Sequence, residues 1–140
     1  MSISTVLLPV FVQIALTFGL LVWTGMSRRS AIVDGQTRVA DVALGQSAWP
    51  ERPTQIGRSF QNQLETPMLF YVLTALAIIT QKADLLFVVM AWLFVLTRLA
   101  HAYVHVTSNH MNLRFKAFLA AVAVLLTMWT IFAVRVLGGF

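Results

Sequence analysis

The stretch that decides the fold covers residues 59–80 and reads SFQNQLETPMLFYVLTALAIIT. Most of it is apolar enough to form a membrane-spanning helix, yet Glu65 lies within it and Asn62 comes one turn earlier. A carboxylate inside hydrocarbon is strongly unfavourable unless it is paired or faces a water-filled cavity, so it marks a candidate functional site. Pro67 also deprives the Gln63 carbonyl of its helical partner, which another group or water must then satisfy.

A second apolar segment carries polar side chains that can pair with this carboxylate. Arg98, His101 and His105 are spaced at i, i+3 and i+7, so they lie on one face of a helix. Because intramembrane charges pair with each other, we expect an ion pair between Glu65 and Arg98. Such a pair either only fixes helix packing or also leaves the carboxylate able to bind a ligand, and both interpretations stay open.

The composition indicates one compact integral membrane domain. Of the 140 residues, 59% are hydrophobic and 11% charged, and the mean hydropathy is +0.80, above the usual range of soluble domains. The absence of cysteine excludes a disulfide framework, a thiolate metal site and a cysteine nucleophile. The net charge of +5 is typical of basic residues that flank membrane spans, so no nucleic-acid partner is expected.

Hydropathy predicts an all-α integral membrane fold with a four-transmembrane-helix bundle in a single domain, residues 1–140. A span needs about 20 apolar residues. The segments that qualify are residues 5–26, 60–80, 84–106 and 116–134. A polar loop, residues 27–58, connects the first two spans, and because it lacks strong helical periodicity we expect it to be irregular, with room for a short helix.

The basic residues predict the orientation of this bundle. The side opposite the first and third loops carries only Lys82 and Arg135, whereas those loops and their edges carry most of the positive charge: Arg28, Arg29, Arg38, Arg52, Arg58, Arg114 and Lys116. The positive-inside rule therefore places loops one and three in the cytoplasm. Asn62, Glu65, Arg98 and His101 then share the cytoplasmic half of the bundle, which predicts a polar pocket open to that side.

The polar spacing resembles the MAPEG family, the membrane-associated proteins in eicosanoid and glutathione metabolism. The resemblance covers most of the chain, and Asn62-x-x-Glu65 at the opening of span two is its most specific element. The segment TGMSR that ends at Arg28 is similar to the end of the family's first helix, where an arginine binds glutathione. Arg98-x-x-His101 is similar to its third-helix motif. The chain is identified as a bacterial-type member.

The resemblance implies a homotrimer with glutathione bound between neighbouring subunits near the cytosolic face, in a bacterial inner membrane. It assigns glutathione binding to a set of polar residues: Arg28, Asn62, Glu65, Arg98, His101 and His105. It assigns catalysis to Arg114, at the position of the family's arginine that stabilises the glutathione thiolate. A nearby cation lowers the pKa of a thiol, so Arg114 and the positive end of span four favour the thiolate. The remaining partners are membrane lipids and a lipophilic substrate.

Some family positions are occupied differently here. Gln61 replaces an arginine of the eicosanoid enzymes, His105 replaces a tyrosine that contacts glutathione in several members, and Phe118 lies nearest to a missing fourth-helix tyrosine. The resemblance therefore implies a glutathione-dependent transferase or peroxidase that acts on lipophilic electrophiles in the membrane. The alternative is a non-catalytic member that binds a lipid or a membrane-protein partner.

A metal site is the third class of function that the sequence permits. His101 and His105 are spaced at i, i+4, which places two imidazoles on one helix face, and Glu65 and His110 are available to complete a coordination sphere. The chain has three histidines and lacks the repeated histidine boxes of membrane di-iron enzymes, so we assign no metal.

Overall fold

The computed structural model describes residues 1–45 and 48–140, and residues 46 and 47 of the predicted loop lie outside the described part. The described chain forms helices joined by turns. In chain order they are α1 (Ile3–Val33), α2 (Val39–Val42), α3 (Glu51–Asn62), α4 (Thr66–Ile79), α5 (Leu85–Val106) and α6 (Met111–Leu137).

These elements build the predicted all-α membrane bundle. The described residues include four helical segments long and apolar enough to cross a membrane: Ile3–Val33, Glu51–Ile79, Leu85–Val106 and Met111–Leu137. Helix α5 packs against α6 and α1, and α1 also packs against α3. Large apolar side chains such as Phe11, Phe18 and Leu126 are exposed on the outer faces, as expected where helices meet lipid.

The region predicted as an irregular loop contains more helix than expected. Helix α1 continues to Val33, and α3 begins at Glu51 directly after Pro50. The expectation of weak periodicity was wrong for α3, because Pro53, Ile56 and Gly57 are all buried. Their i, i+3, i+4 spacing forms a narrow apolar stripe that packs on α1, while the remaining positions of α3 are largely polar.

Span two is two helices rather than one continuous helix. Helix α3 ends at Asn62, α4 begins at Thr66, and the residues between them form a turn. Glu65 precedes α4 with φ −100° and ψ −102°, and Pro67 lies in the first turn of α4, where its missing N–H is tolerated. The carboxylate is therefore placed at a helix break, and not within a regular helix as the sequence suggested.

The apolar core fills the half of the bundle remote from α3. Phe70 and Phe94 stack with ring centroids 4.7 Å apart and are fully buried. Around them pack side chains of α1, α4, α5 and α6: Val6, Val10, Leu73, Ala77, Val88, Ala91, Val95, Ala121, Leu125 and Met128. This remote half holds the four spans together, and the polar side chains collect in the half that contains α3, here called the α3 half.

Candidate functional site

A polar cavity of about 460 Å³ opens in the α3 half, between α3, the break that follows it, α5 and α6. Its wall is formed by Arg58, Gln61, Asn62, Glu65, His101, His105, Met111, Arg114, Phe115 and Phe118. The volume is in the range of small-molecule binding sites. The helix break supplies one side of the cavity, so the irregular backbone lies where it faces a cavity and not lipid.

The cavity brings together most of the residues that the sequence singled out. Asn62 and Glu65 come from the break, His101 and His105 from α5, and Arg114 from the first turns of α6. Both imidazoles lie in the wall with only 3% of their surface exposed. The cavity thus combines a carboxylate, an amide, two imidazoles and a guanidinium from three separate helical segments.

A hydrogen bond across the cavity wall joins the break to α5. Asn62 Nδ2 lies 3.3 Å from His105 Nδ1. The His101 and His105 rings meet edge to face, with centroids 5.7 Å apart, and His101 also contacts the ring of Phe118 at 6.2 Å. These contacts hold both imidazoles in fixed orientations at the cavity surface.

Arg98 does not form the expected ion pair with Glu65. It is 1% exposed, and its Nη2 donates a hydrogen bond to the Asn62 carbonyl oxygen at 3.0 Å. Within the described residues, no carboxylate oxygen lies within ion-pair distance of its guanidinium. The prediction was wrong because α3 ends at Asn62, which leaves a carbonyl that a cation at a helix C-terminus satisfies well. Arg98 therefore lies behind the cavity wall.

Helices α3 and α5 cap each other in the same manner. At the other end of this contact, Gln55 Nε2 donates to the His105 carbonyl at 2.7 Å, and Arg52 Nη1 donates to the Val106 carbonyl. Side chains of α3 thus satisfy the last carbonyls of α5, and Arg98 of α5 satisfies the last turn of α3. This reciprocal capping fixes the register of the two helices that carry most of the cavity wall.

Arg114 is held at the cavity by the turn before α6. Its Nη1 donates to Asn109 Oδ1 at 2.7 Å, and its Nη2 lies 3.2 Å from Met111 Sδ. Asn109 has φ +51°, the left-handed conformation that asparagine tolerates better than most residues. No role was predicted for Asn109, although an asparagine before a helix start is a turn signal.

Arg28 lies outside this cavity. It lines a second cavity of about 350 Å³ with Trp49, Thr54 and Gly57, and its guanidinium carbon lies 5.1 Å from the centroid of the Trp49 ring. A Cβ on Gly57 would lie 3.2 Å from Arg28 Nη2, so a larger residue there would require the guanidinium of Arg28 to shift by a few tenths of an ångström. The structure therefore separates Arg28 from the other predicted binding residues of the same chain.

Arg58 and Gln61 line both cavities and so connect them along α3. Arg58 was counted among the basic residues of the first loop and was not one of the predicted binding residues. Its spacing four residues before Asn62 places both on one helix face, and this signal identifies Arg58 as a site residue.

The metal interpretation receives no support from the geometry. In the described ranges, no three His, Asp, Glu or Cys side chains come close enough together to hold a metal ion. His110 instead precedes α6, where its Nδ1 lies 3.5 Å from the Leu113 amide and caps the helix start.

A comparison with protein-family models identifies one family. The model of the MAPEG family matches residues 6–134, which include most of each of the four spans and every residue of the cavity wall. The chain belongs to the MAPEG family. MAPEG proteins are helical membrane bundles, and they include glutathione transferases and peroxidases as well as non-catalytic members. Comparisons with curated proteins and with solved structures find no match.

Proposed function

We propose that this MAPEG protein is a glutathione-dependent transferase or peroxidase that acts on lipophilic electrophiles dissolved in the membrane. One observation carries the proposal: a single cavity in the α3 half gathers Glu65, Asn62, both imidazoles and Arg114 in a chain of this family. No protein nucleophile is needed, because the thiol of glutathione is the reacting group.

The charges of the cavity complement those of glutathione. The tripeptide carries two carboxylates, one ammonium and one thiol. Glu65 offers an acceptor for the ammonium, and Arg58 offers a cation for a carboxylate, since both line the cavity. Asn62 has a carboxamide that can bind the peptide backbone of the ligand. In this assignment Arg98 supports the site from behind and does not contact glutathione.

Arg114 is the group we assign to the sulfur. It lies in the first turns of α6, where the positive end of the helix dipole adds to its charge. Both favour the thiolate over the thiol. The thiolate attacks an electrophilic carbon, forming a C–S bond while the leaving group departs with its electron pair. With a hydroperoxide, it attacks the terminal oxygen to form an S–O bond, the O–O bond breaks, and the departing alkoxide takes a proton. A second glutathione then converts the resulting sulfenic acid to the disulfide and water.

The electrophile is expected to enter from the bilayer. Met111 and Phe115 lie on the cavity wall and are 62% and 56% exposed, and Phe118 continues the same apolar face of α6. This face connects the polar site with the lipid-exposed surface of the bundle. Membrane-dissolved substrates would meet the sulfur here without passing through water.

A homotrimer explains the position of Arg28. In one chain Arg28 lines a cavity different from that of Glu65 and Arg114, with Arg58 and Gln61 between them. A neighbouring subunit can bring its own Arg28 cavity against the Glu65 cavity, so that glutathione binds between subunits. Arg28 then serves a carboxylate of the ligand across the subunit boundary.

We infer that loops one and three face the cytoplasm of a bacterial inner membrane. The basic residues support this orientation, because the α3 half and its loops carry most of them. Cysteines introduced at the exposed residues Gln36 and Leu137 should react with a membrane-impermeant thiol reagent from opposite sides of sealed vesicles. Reaction from the same side would contradict the four-span topology.

A non-catalytic lipid- or protein-binding role is the second candidate, and two cavity residues favour it. The resemblance places Gln61 where the family's eicosanoid enzymes carry an arginine, and Phe118 lies nearest to a missing fourth-helix tyrosine, so the cavity lacks a cation and a hydroxyl there. In this case the polar wall would serve as an internal clamp, and glutathione would not bind.

Calorimetric titration of the detergent-solubilised protein with glutathione separates the two candidates. We expect saturable binding to the wild type and loss of binding in Glu65→Gln, because the ammonium would lose its partner. Glu51→Gln is the matched control, since Glu51 is exposed at the start of α3 and remote from the cavity wall. Absence of binding to the wild type would remove the transferase proposal and leave the non-catalytic role.

A further inference from the structure

His105 is held both through its backbone carbonyl and through its ring. Its carbonyl accepts a hydrogen bond from Gln55 Nε2 at 2.7 Å, and the next carbonyl, that of Val106, accepts one from Arg52. The end of α5 is therefore tied to α3 on both sides of this residue. The ring is held in addition, by the side chain of Asn62.

With the Asn62 amide oriented so that Nδ2 faces His105, the bond between them determines where the imidazole carries its proton. The amide Nδ2 of asparagine has hydrogens and no lone pair, so it can only donate. His105 Nδ1, 3.3 Å away, must then accept, and an accepting Nδ1 carries no proton. The neutral ring consequently holds its proton on Nε2, because each nitrogen of a neutral imidazole takes one of the two roles.

Arg98 fixes Asn62 in turn. Its guanidinium donates to the Asn62 carbonyl at 3.0 Å, and with 1% of its surface exposed it has little freedom to move. The backbone of Asn62 is thereby anchored to α5 one and a half to two turns before His105, using 3.6 residues per turn. Arg98, Asn62 and His105 form a continuous chain of hydrogen bonds from the interior of the bundle to the cavity.

We propose that Asn62 and Arg98 are positioning residues that hold His105 as the Nε2–H tautomer, and that this N–H is a hydrogen-bond donor to an anionic atom of the ligand in the cavity. The ligand part of this inference rests on the proposed glutathione function, whereas the tautomer does not. His105 lines the cavity, so its second nitrogen is available there. The donor is uncharged, and it adds an N–H to a site that already contains Arg58 and Arg114.

His101 provides an internal comparison. It lies one turn earlier in α5 and is equally buried, at 3% exposure. Its Nδ1 is buried without a hydrogen-bond partner among the described residues. Asn62 therefore acts on one of the two adjacent imidazoles, and a change at Asn62 should alter His105 and leave His101 as it is.

The tautomer can be measured by ¹⁵N NMR of protein labelled at histidine nitrogens, in detergent or nanodiscs at mildly alkaline pH, where an imidazole of ordinary pKa is neutral. The resonances are assigned with His105→Gln and His101→Gln. In the wild type, we expect the proton of His105 on Nε2. Asn62→Asp presents a carboxylate that can only accept, so it should move the proton to Nδ1, and Asn62→Ala should remove the preference.

Two results would overturn the proposal: a wild-type His105 protonated on Nδ1 or on both nitrogens, or an unchanged tautomer in Asn62→Asp. Arg98→Ala should broaden or shift the His105 resonances while His101 stays unchanged. A matching change at His101 would indicate general loosening of the bundle and not positioning, and would count against the role of Arg98.

Addition of glutathione separates this inference from the proposed function. Binding should shift the His105 Nε2 resonance more than its Nδ1 resonance. If glutathione shifts other cavity residues and leaves His105 Nε2 unchanged, the donor role is wrong although the protein binds glutathione. If calorimetry and NMR both detect no binding, the glutathione function and the donor role toward it fail together, while the tautomer result stands by itself.

Discussion

The same helices build an apolar half and a polar half of this bundle. In the remote half, Phe70 and Phe94 stack at 4.7 Å within a continuous apolar core. In the α3 half, one span is broken, and the buried groups are arginine, histidine, glutamine and serine. Buried polar groups require hydrogen-bond partners, whereas apolar groups require close packing. The apolar packing that stabilises the bundle and the polar groups of the cavity therefore lie in different halves.

Helix α5 contributes to both halves within little more than one turn. Phe94 belongs to the apolar core, and Arg98, four residues later on the same face, caps the end of α3. Between these two residues, the buried face of α5 changes from apolar packing to polar hydrogen bonding. Substitutions at Phe94 and Arg98 therefore compare the two halves on one helix.

The largest effect on stability is expected in the remote half. Phe94→Ala should lower the free energy of unfolding by about 3 kcal/mol, because it empties a fully packed position. Leu93→Ala is the control. Because Leu93 is 49% exposed on the outer face, this variant should lose little free energy of unfolding. Reversible unfolding in mixed detergent–SDS micelles, followed by circular dichroism, gives both values. Equal losses for the two variants would contradict the position of the core.

The second largest effect on stability is expected from the loss of the hydrogen bond between Arg98 and the Asn62 carbonyl. Arg98→Ala leaves the Asn62 carbonyl without its donor, which should lower the free energy of unfolding by about 1–3 kcal/mol. Glu65→Gln should leave stability nearly unchanged, because Glu65 is exposed and lines the cavity. The same unfolding measurement gives the values for both variants. A larger loss for Glu65→Gln than for Arg98→Ala would reverse the roles assigned to the two residues.

The smallest effect concerns an ion pair at the remote end of the bundle. Arg135 Nη1 lies 2.8 Å from the carboxylate of Asp84, which precedes α5. Partial burial acts to raise the pKa of Asp84, but hydrogen bonds from the Phe87 amide and from Arg135, together with the charge of Arg135, outweigh it and hold the pKa below its ordinary value. Asp84→Asn should therefore destabilise by under about 1 kcal/mol, as exposed ion pairs do.

The pH dependence of this pair has a definite sign. A carboxyl group whose pKa is lowered by folding contributes stability above its unfolded pKa and loses it as the pH falls through the folded value. The difference between wild type and Asp84→Asn should be present at neutral pH and disappear on acidification below pH about 4. Unfolding curves at several pH values measure it. A difference that grows on acidification would show that the pKa is not lowered.

The sequence predicted the number of spans and the shared half of Asn62, Glu65 and His101, because apolar length and helical spacing are local properties. The family resemblance added His105 and Arg114 to this group. The sequence did not predict the break after Asn62. Gln63 and Pro67 indicated that a carbonyl needed a partner, but whether the helix bends or ends depends on tertiary contacts. The Gln13 amide, fully buried, donates to Gln63 Oε1 at 2.9 Å and supports the break from α1.

The same limit explains the wrong role predicted for Arg98. Depth along the helices placed Arg98 beside Glu65, but depth does not distinguish a side chain in the cavity from one behind its wall. That distinction depends on the packing of helices around α3, which no short sequence pattern encodes. The glutathione-binding role of Arg28 stays a prediction.

The most direct test of the central claim is the ionisation of glutathione in the cavity. The thiolate absorbs in the near ultraviolet, so a pH titration of the complex reports the pKa of the bound thiol. We expect that pKa to lie below the value of free glutathione in the wild type, to rise in Arg114→Ala, and to stay low in Lys116→Ala, whose side chain is exposed and outside the cavity wall. An unshifted thiol pKa in the wild-type complex, or the same change in both variants, would contradict the assignment of the cavity as a thiolate site with Arg114 at the sulfur.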